Sequence, residues 1–300
     1  MRRLLLVGAF FFAATTIAQT ARPKITGIAY VRFHSSDAQG AASFYANLLG
    51  ARHLHPTSQS DEYLLSSTQA IFIDRSPAPP PELEEEIGLE VSSTRQMKAY
   101  LREHHIKDMR ERNDGGFSIQ GPEGKRIAFV TRGLHTKSDK VAQPVHAEAV
   151  STRIIHVGFV VHDRAAADAF FRDLLGFKLY WTGGPSWDGT PEHINYASMQ
   201  VPDGREWVEY MLNRPPDMTA RQYGSANHVA LGVASIQDAV KKLRANGWTG
   251  TAEPRQGQDG KWQINLFDPD GTRIELMEFA PTREPCCTKY QRPHPSPSDR

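Results

Sequence analysis

A repeat at fixed spacing constrains this chain more than any other feature of its sequence. Asp37 is followed by Phe44-Tyr45-Ala46-Asn47-Leu48-Leu49-Gly50, and Asp163 by Phe170-Phe171-Arg172-Asp173-Leu174-Leu175-Gly176, at one constant offset. Each copy reads as an Asp N-cap, an amphipathic helix and a Gly stop. Further on, Gly121-Pro122-Glu123-Gly124-Lys125-Arg126-Ile127-Ala128-Phe129 echoes Asp268-Pro269-Asp270-Gly271-Thr272-Arg273-Ile274-Glu275-Leu276. Each of these is a tight turn feeding a strand.

Two more helices fall between these landmarks. Ile236, Ala239, Val240 and Leu243 recur at helical spacing behind Ser235, and Met97 and Leu101 mark a weaker counterpart behind Ser93. A short apolar strand precedes each helix and further β-like runs follow it. The unit of strand, helix and several strands therefore occurs four times, which gives an α+β fold. The units group into two modules, residues 24–133 and 153–280. Residues 133–151 read as a polar linker, and Ser76 to Glu86, rich in Pro and then Glu, joins the two units of the first module. The Pro-rich tail, 281–300, reads as extended and loosely held.

Charge excludes several functions. Thirty-five Lys+Arg stand against thirty-four Asp+Glu, a net charge of +1. No basic field exists for nucleic acid or for an anionic membrane surface. With 39% hydrophobic residues the chain is not disordered, and two cysteines cannot staple a scaffold. Met1-Arg2-Arg3 followed by an uncharged run from Leu4 to Ala14 reads as a secretory leader, residues 1–18, cut after Ala18. The run is short for a membrane span, where roughly 20 residues are needed. The expectation is an exported, periplasmic or secreted protein with no membrane insertion after cleavage; an uncleaved anchor is the alternative.

The residues that can carry chemistry lie in the second module. In Ile155-His156-Val157-Gly158 and in His228-Val229-Ala230-Leu231-Gly232, each His shares its strand face only with small residues. That empty side implies a cavity, although a single His in such a strand is equally a hydrogen-bonded core residue. Glu209 sits inside Trp207-Val208-Glu209-Tyr210-Met211, and Glu275 inside Arg273-Ile274-Glu275-Leu276. A carboxylate in an apolar strand either faces water or needs a partner, because burial of an unpaired charge is costly. Two imidazoles and two carboxylates, one of each per unit, suit one divalent ion: Zn, Ni, Fe, Co or Mn.

The repeated units, the Asp-Pro-Asp-Gly-Thr-Arg-Ile-Glu-Leu run and Asn227-His228-Val229-Ala230-Leu231 resemble the vicinal oxygen chelate superfamily of glyoxalases, bleomycin-resistance proteins and extradiol dioxygenases. The resemblance implies four βαβββ units in two paired modules, each an open cupped sheet with helices outside. It places His156, Glu209, His228 and Glu275 as metal ligands, with Glu209 or Glu275 released to act as catalytic base. In the first module Tyr30 matches His156, Glu86 matches His228, Ala128 matches Glu275, and an apolar residue near Phe72 matches Glu209. That half is expected to be metal-free, a separate organic ligand being the other reading.

For the reaction, the resemblance implies lyase or isomerase chemistry through a metal-stabilised enediolate on a small vicinal-oxygen substrate. A dioxygenase using His156, His228 and Glu275 is the alternative. It is weakened because Asn265 stands where that group has a Tyr, with no His before it. Export argues against glutathione or CoA thioester substrates. A non-catalytic, antibiotic-binding protein ranks third. Trp207, Met211, Lys261 and Trp262 are candidate substrate contacts; the tryptophans are equally core, and Lys261 equally solvated. Cys286 and Cys287 allow a vicinal disulfide, a soft-metal grip with His294, or no chemistry. A monomer and a homodimer both remain open.

Overall fold

The computed structural model describes residues 20–54, 57–131 and 148–299. The leader, and most of the polar segment 133–151, therefore lie outside the described residues. In the first half the strands are β1 (Ile25–Ser35), β2 (Arg52–Leu54), β3 (Ser60–Leu64), β4 (Ala70–Arg75), β5 (Glu84–Val91), β6 (Arg110–Glu111), β7 (Phe117–Gln120) and β8 (Arg126–Val130). In the second half they are β9 (Ile154–Val160), β10 (Lys178–Gly183), β11 (Tyr196–Gln200), β12 (Trp207–Met211), β13 (His228–Val233), β14 (Arg255–Gln256), β15 (Trp262–Phe267) and β16 (Arg273–Glu278). Each half forms one curled eight-stranded sheet, in the orders β2-β3-β4-β1-β5-β8-β7-β6 and β10-β11-β12-β9-β13-β16-β15-β14. The two orders are the same pattern, so the repeat read in the sequence is a repeat of topology: βαβββ, four times.

Local chemistry explains the elements. Helix α1 (Ala38–Ala42) starts where Asp37 accepts from the Gly40 N–H, and α3 (Arg164–Asp168) where Asp163 accepts from the Ala166 N–H. Both continue as π-turns, Ser43–Leu48 and Ala169–Leu174, which a plain amphipathic pattern does not announce. Gly50 and Gly176 end them at φ +73° and +78°, where a side chain would be strained. Ser93 and Ser235 cap α2 (Thr94–Glu103) and α5 (Ile236–Ala245). A further helix, α4 (Ala220–Ala226), opens on a Thr219–Gln222 capping box just before β13.

One hydrophobic cluster runs through both halves, from Ile25 and Val31 to Val157, Phe159 and Leu276. Along β9, Val157 and Phe159 enter that cluster, while His156 and Gly158 face the opposite side of the sheet. The halves are also stitched by polar groups: Gln69 donates to the carbonyls of Ile28 and Ile154, and Tyr45 donates to Asp268.

Two expectations are corrected. Glu84, Glu85 and Glu86 are not connector: they open β5, with Glu84 and Glu86 buried. Lys125 Nζ lies 2.6 Å from Glu82 and 3.4 Å from Glu84, and Arg112 meets Glu86. The tail is not loosely held either. The Gln291 N–H donates to the Tyr180 carbonyl, the Thr288 hydroxyl to that of Thr182, and the Tyr290 hydroxyl to that of Asp259. Its bonds are made by scattered polar side chains and backbone groups, so no apolar periodicity reveals them. Cys286 and Cys287 are joined as a vicinal disulfide, and His294 pairs with the Tyr180 hydroxyl at 2.7 Å, which leaves no soft-metal grip.

Candidate metal centre

Strands β12, β9, β13 and β16 lie side by side, and their register builds the site. In one row Glu209 faces Gly158, which faces His228. In the next row His156 faces Ala230, which faces Glu275. Each row holds two donor side chains apart by a residue too small to fill the gap. The space over Gly158 belongs to the His228 ring: a Cβ there would lie 2.0 Å from a ring carbon.

The four side chains converge. His156 Nε2 and His228 Nε2 are 2.9 Å apart. Glu275 Oε2 lies 3.7 and 3.5 Å from those two nitrogens, and Glu209 Oε2 lies 4.0 and 3.7 Å from them. Donor atoms of His156, His228 and Glu275 all fall within 4.8 Å of one another. The imidazoles are buried completely and Glu275 nearly so, whereas the Glu209 side chain is 14% exposed.

His228 Nδ1 donates to the Ala226 carbonyl at 2.8 Å, which leaves its Nε2 a bare lone pair aimed at the centre. His156 is braced by stacking on Trp207, with centroids 4.6 Å apart. Burial holds both imidazoles well below their ordinary range, with Lys261 adding to the effect on His156 and Arg273 to that on His228. Burial pushes Glu209 up to about 8, helped by the Glu275 charge, and Glu275 up to about 7, with Arg273 opposing. Neutral imidazoles and crowded carboxylates in a dry setting are the donor set that a divalent cation satisfies. The residues present fit such an ion.

The matching positions of the first half are chemically different. Ala128 and Phe72 offer no donor. Tyr30 gives its hydroxyl to Glu86 at 2.6 Å, and Arg112 meets the same carboxylate at 2.5 Å. Burial raises the Tyr30 hydroxyl well above its ordinary range, which keeps it a proton donor. Nearby, His34, Asp74 and Glu85 also gather, but Arg32 pairs with Asp74 and Arg126 with Glu85. Cations of the chain already serve those carboxylates.

A cavity of about 230 Å³ opens over the second-half site. Glu209 and Glu275 line it together with Arg255, Arg273, Trp181 and Tyr196. The candidate substrate contacts sit elsewhere. Trp207 lies behind His156. Met211 packs with Val160 and Ala226. Lys261 is fully buried, donating to the Tyr180 hydroxyl at 3.1 Å with its Nζ 4.5 Å from the Trp207 ring centroid. Burial lowers this amine to about 8 despite Asp259. Trp262 opens β15 and packs against the main core, while its neighbour Gln263 faces the cavity. None of the four lines the cavity. The sequence reading missed Arg255, Arg273, Trp181 and Tyr196; for Arg273 the signal was present, since it alternates with Glu275 on one strand face.

Comparison with known proteins adds an independent line. The model of the Glyoxalase/Bleomycin resistance protein/Dioxygenase superfamily matches residues 153–276. The chain is 31% identical over 130 residues to the lactoylglutathione lyase of Salmonella typhimurium, matching 42% of this chain and 92% of that protein. It is 32% identical to that of Escherichia coli O157:H7 over the same shares. Among solved structures, an extradiol ring-cleaving dioxygenase from B. fuscum superposes with a TM-score of 0.63 at 19% identity, covering 86% of this chain and 73% of that one. A variant of homoprotocatechuate 2,3-dioxygenase from B. fuscum gives 0.64 at 18% identity, covering 94% and 76%. These two likenesses are of fold.

Proposed function

The chain belongs to the Glyoxalase/Bleomycin resistance protein/Dioxygenase superfamily and is an enzyme of it; from that premise we propose a divalent-metal lyase or isomerase acting on a small vicinal-oxygen substrate. The observation that carries this reading is the convergence of His156, His228, Glu209 and Glu275 beneath one cavity. His156, His228 and Glu275 would hold the ion most tightly, with Glu209 as fourth donor. Bound there, a divalent ion supplies a Lewis acid toward two neighbouring oxygens. Glu209 holds or moves the proton: it faces the cavity, stays partly exposed, and has its acidity shifted toward neutrality, as a general base requires. Trp207 fixes His156, and the Ala226 carbonyl fixes His228.

The cavity supports a small substrate. Its volume lies below the roughly 300–1,000 Å³ of sites for drug-sized ligands. A glutathione adduct, as the relatives' name implies for them, is large for it. Export, read from residues 1–18, points the same way and remains part of this proposal; N-terminal sequencing of the mature protein tests it.

Elemental analysis of the purified chain beside His228→Ala tests the metal. The expected result is about one equivalent of divalent ion, lost in the variant. A metal-free wild type overturns the reading. A second reading is ring-cleaving oxygenation, favoured by the tighter His156–His228–Glu275 trio. Gln263 and Asn265, which face the cup from β15, cannot relay a proton, which disfavours it. Oxygen consumption with catechols separates the two.

A further inference from the structure

The two halves share one sheet topology, so the first shows what the arginines of the second are built to hold. In the first half Glu86 pairs across to Arg126, and in the second His228 pairs to Arg273 at the same ladder position. Likewise Arg112 lies opposite Gly116, and Arg255 opposite Gln263. Gly116 and Gln263 are equivalent, each two residues ahead of the residue paired with Ala128 or Glu275. Arg112 and Arg126 both serve one carboxylate, that of Glu86, at 2.5 and 3.6 Å. In the second half the glutamate is replaced by a histidine that turns to the metal centre, and its two arginines act on Glu275 only at a distance, with no carboxylate in ion-pair contact. Neither Arg255 nor Arg273 makes an ion pair or a side-chain hydrogen bond among the described residues, and Arg273 Nε is buried with no partner. Both guanidinium-bearing side chains line the cavity above Glu209 and Glu275.

We propose that Arg255 and Arg273 form an anion clamp, and that the substrate is a small acid: vicinal oxygens at one end and a separate carboxylate, taking the part that Glu86 plays in the first half, at the other. Two planar forks suit a carboxylate through paired charge-assisted hydrogen bonds. Asp259 also borders the cavity, but its carboxylate accepts from the Lys261 N–H and its charge acts on the buried Lys261 amine, so it is engaged within the chain. Trp181 and Tyr196, stacked with planes 20° apart, give the body of such a molecule an aromatic wall.

The inference rests on the vicinal-oxygen reading of the same site, and the test separates the two. Cobalt-loaded protein is titrated with catechol and with 3,4-dihydroxybenzoate, following the visible cobalt spectrum. The acid is expected to bind about tenfold more tightly or better. Arg273→Gln should erase most of that advantage, read as the ratio of the two affinities in the same variant, while catechol still binds. Exposed Arg255→Gln should do so in part, and it serves where the first variant fails to fold. Equal binding of the two probes, or an advantage that survives both substitutions, overturns the clamp and leaves the vicinal-oxygen reading standing. No spectral response to either compound overturns that reading and the clamp with it.

Discussion

Gly158 and His228 face each other across the β9–β13 ladder, and the imidazole occupies the space that any side chain at 158 would fill. A Cβ would stand 2.0 Å from the ring, against the 3.5–4.0 Å of ordinary contact. Gly158→Ala is therefore expected to swing His228 off the centre and weaken metal affinity by about 10–100-fold, the range seen when ligand orientation is lost. Competition with a chromophoric chelator measures it, and circular dichroism checks the fold. Unchanged affinity in a folded variant sinks the geometry.

The two carboxylates should not be equal. Glu275 belongs to the tight cluster, and Glu209 stands further from His156. Glu275→Gln is expected to lower metal affinity at least severalfold more than Glu209→Gln. The same chelator titration decides it; a reversed order would assign the movable base to Glu275.

Metal should stabilise one half only. At a hundredfold excess over Kd, binding to the native state alone adds about 2.7 kcal/mol. Melting temperature should rise with added divalent ion, saturating at one per chain. The rise should vanish in His228→Ala and persist in Glu86→Gln, whose position holds cations of the chain rather than an ion. A second equivalent lost on Glu86→Gln would contradict this.

Glu84 offers a pH test away from the site. Burial raises its carboxyl from 4.5 to about 7, with Lys125 opposing. The folded chain thus keeps a proton that the unfolded chain releases between those values. The stability tied to that proton is complete below pH 4.5 and is lost as pH rises through 7. At about 1.4 kcal/mol per unit, the loss is on the order of 3 kcal/mol. Glu84→Gln should flatten this slope, gaining on the wild type from pH 5 to 8 in urea titrations. Parallel curves would show that Lys125 holds Glu84 ionised.

Much of the fold was legible because it is written twice. The Asp caps, the Gly stops and the strand runs recur, and two copies of a weak local signal make a strong one. The donor set was legible for a related reason: His and Glu in apolar strands beside Gly and Ala violate simple burial rules. The clamp was not, because whether Arg273 is paired depends on what stands across the ladder at 228. Lys261 was not legible either, since its aromatic enclosure by Tyr180, Trp207 and Tyr290 comes from three separate stretches. The face of Trp262 was not legible, since it depends on where β15 begins, and one step of alternation in a strand reverses the face.

The docked tail has a use beyond the cup. β10 is the outermost strand of its sheet, and outermost strands recruit foreign ones through their bare amides and carbonyls. Gln291 and Thr288 occupy such groups on Tyr180 and Thr182. A chain cut short at residue 280 would present that ribbon naked, with Tyr180 and Trp181 upon it. Its first symptom would be clumping in concentrated solution, before any loss of ion.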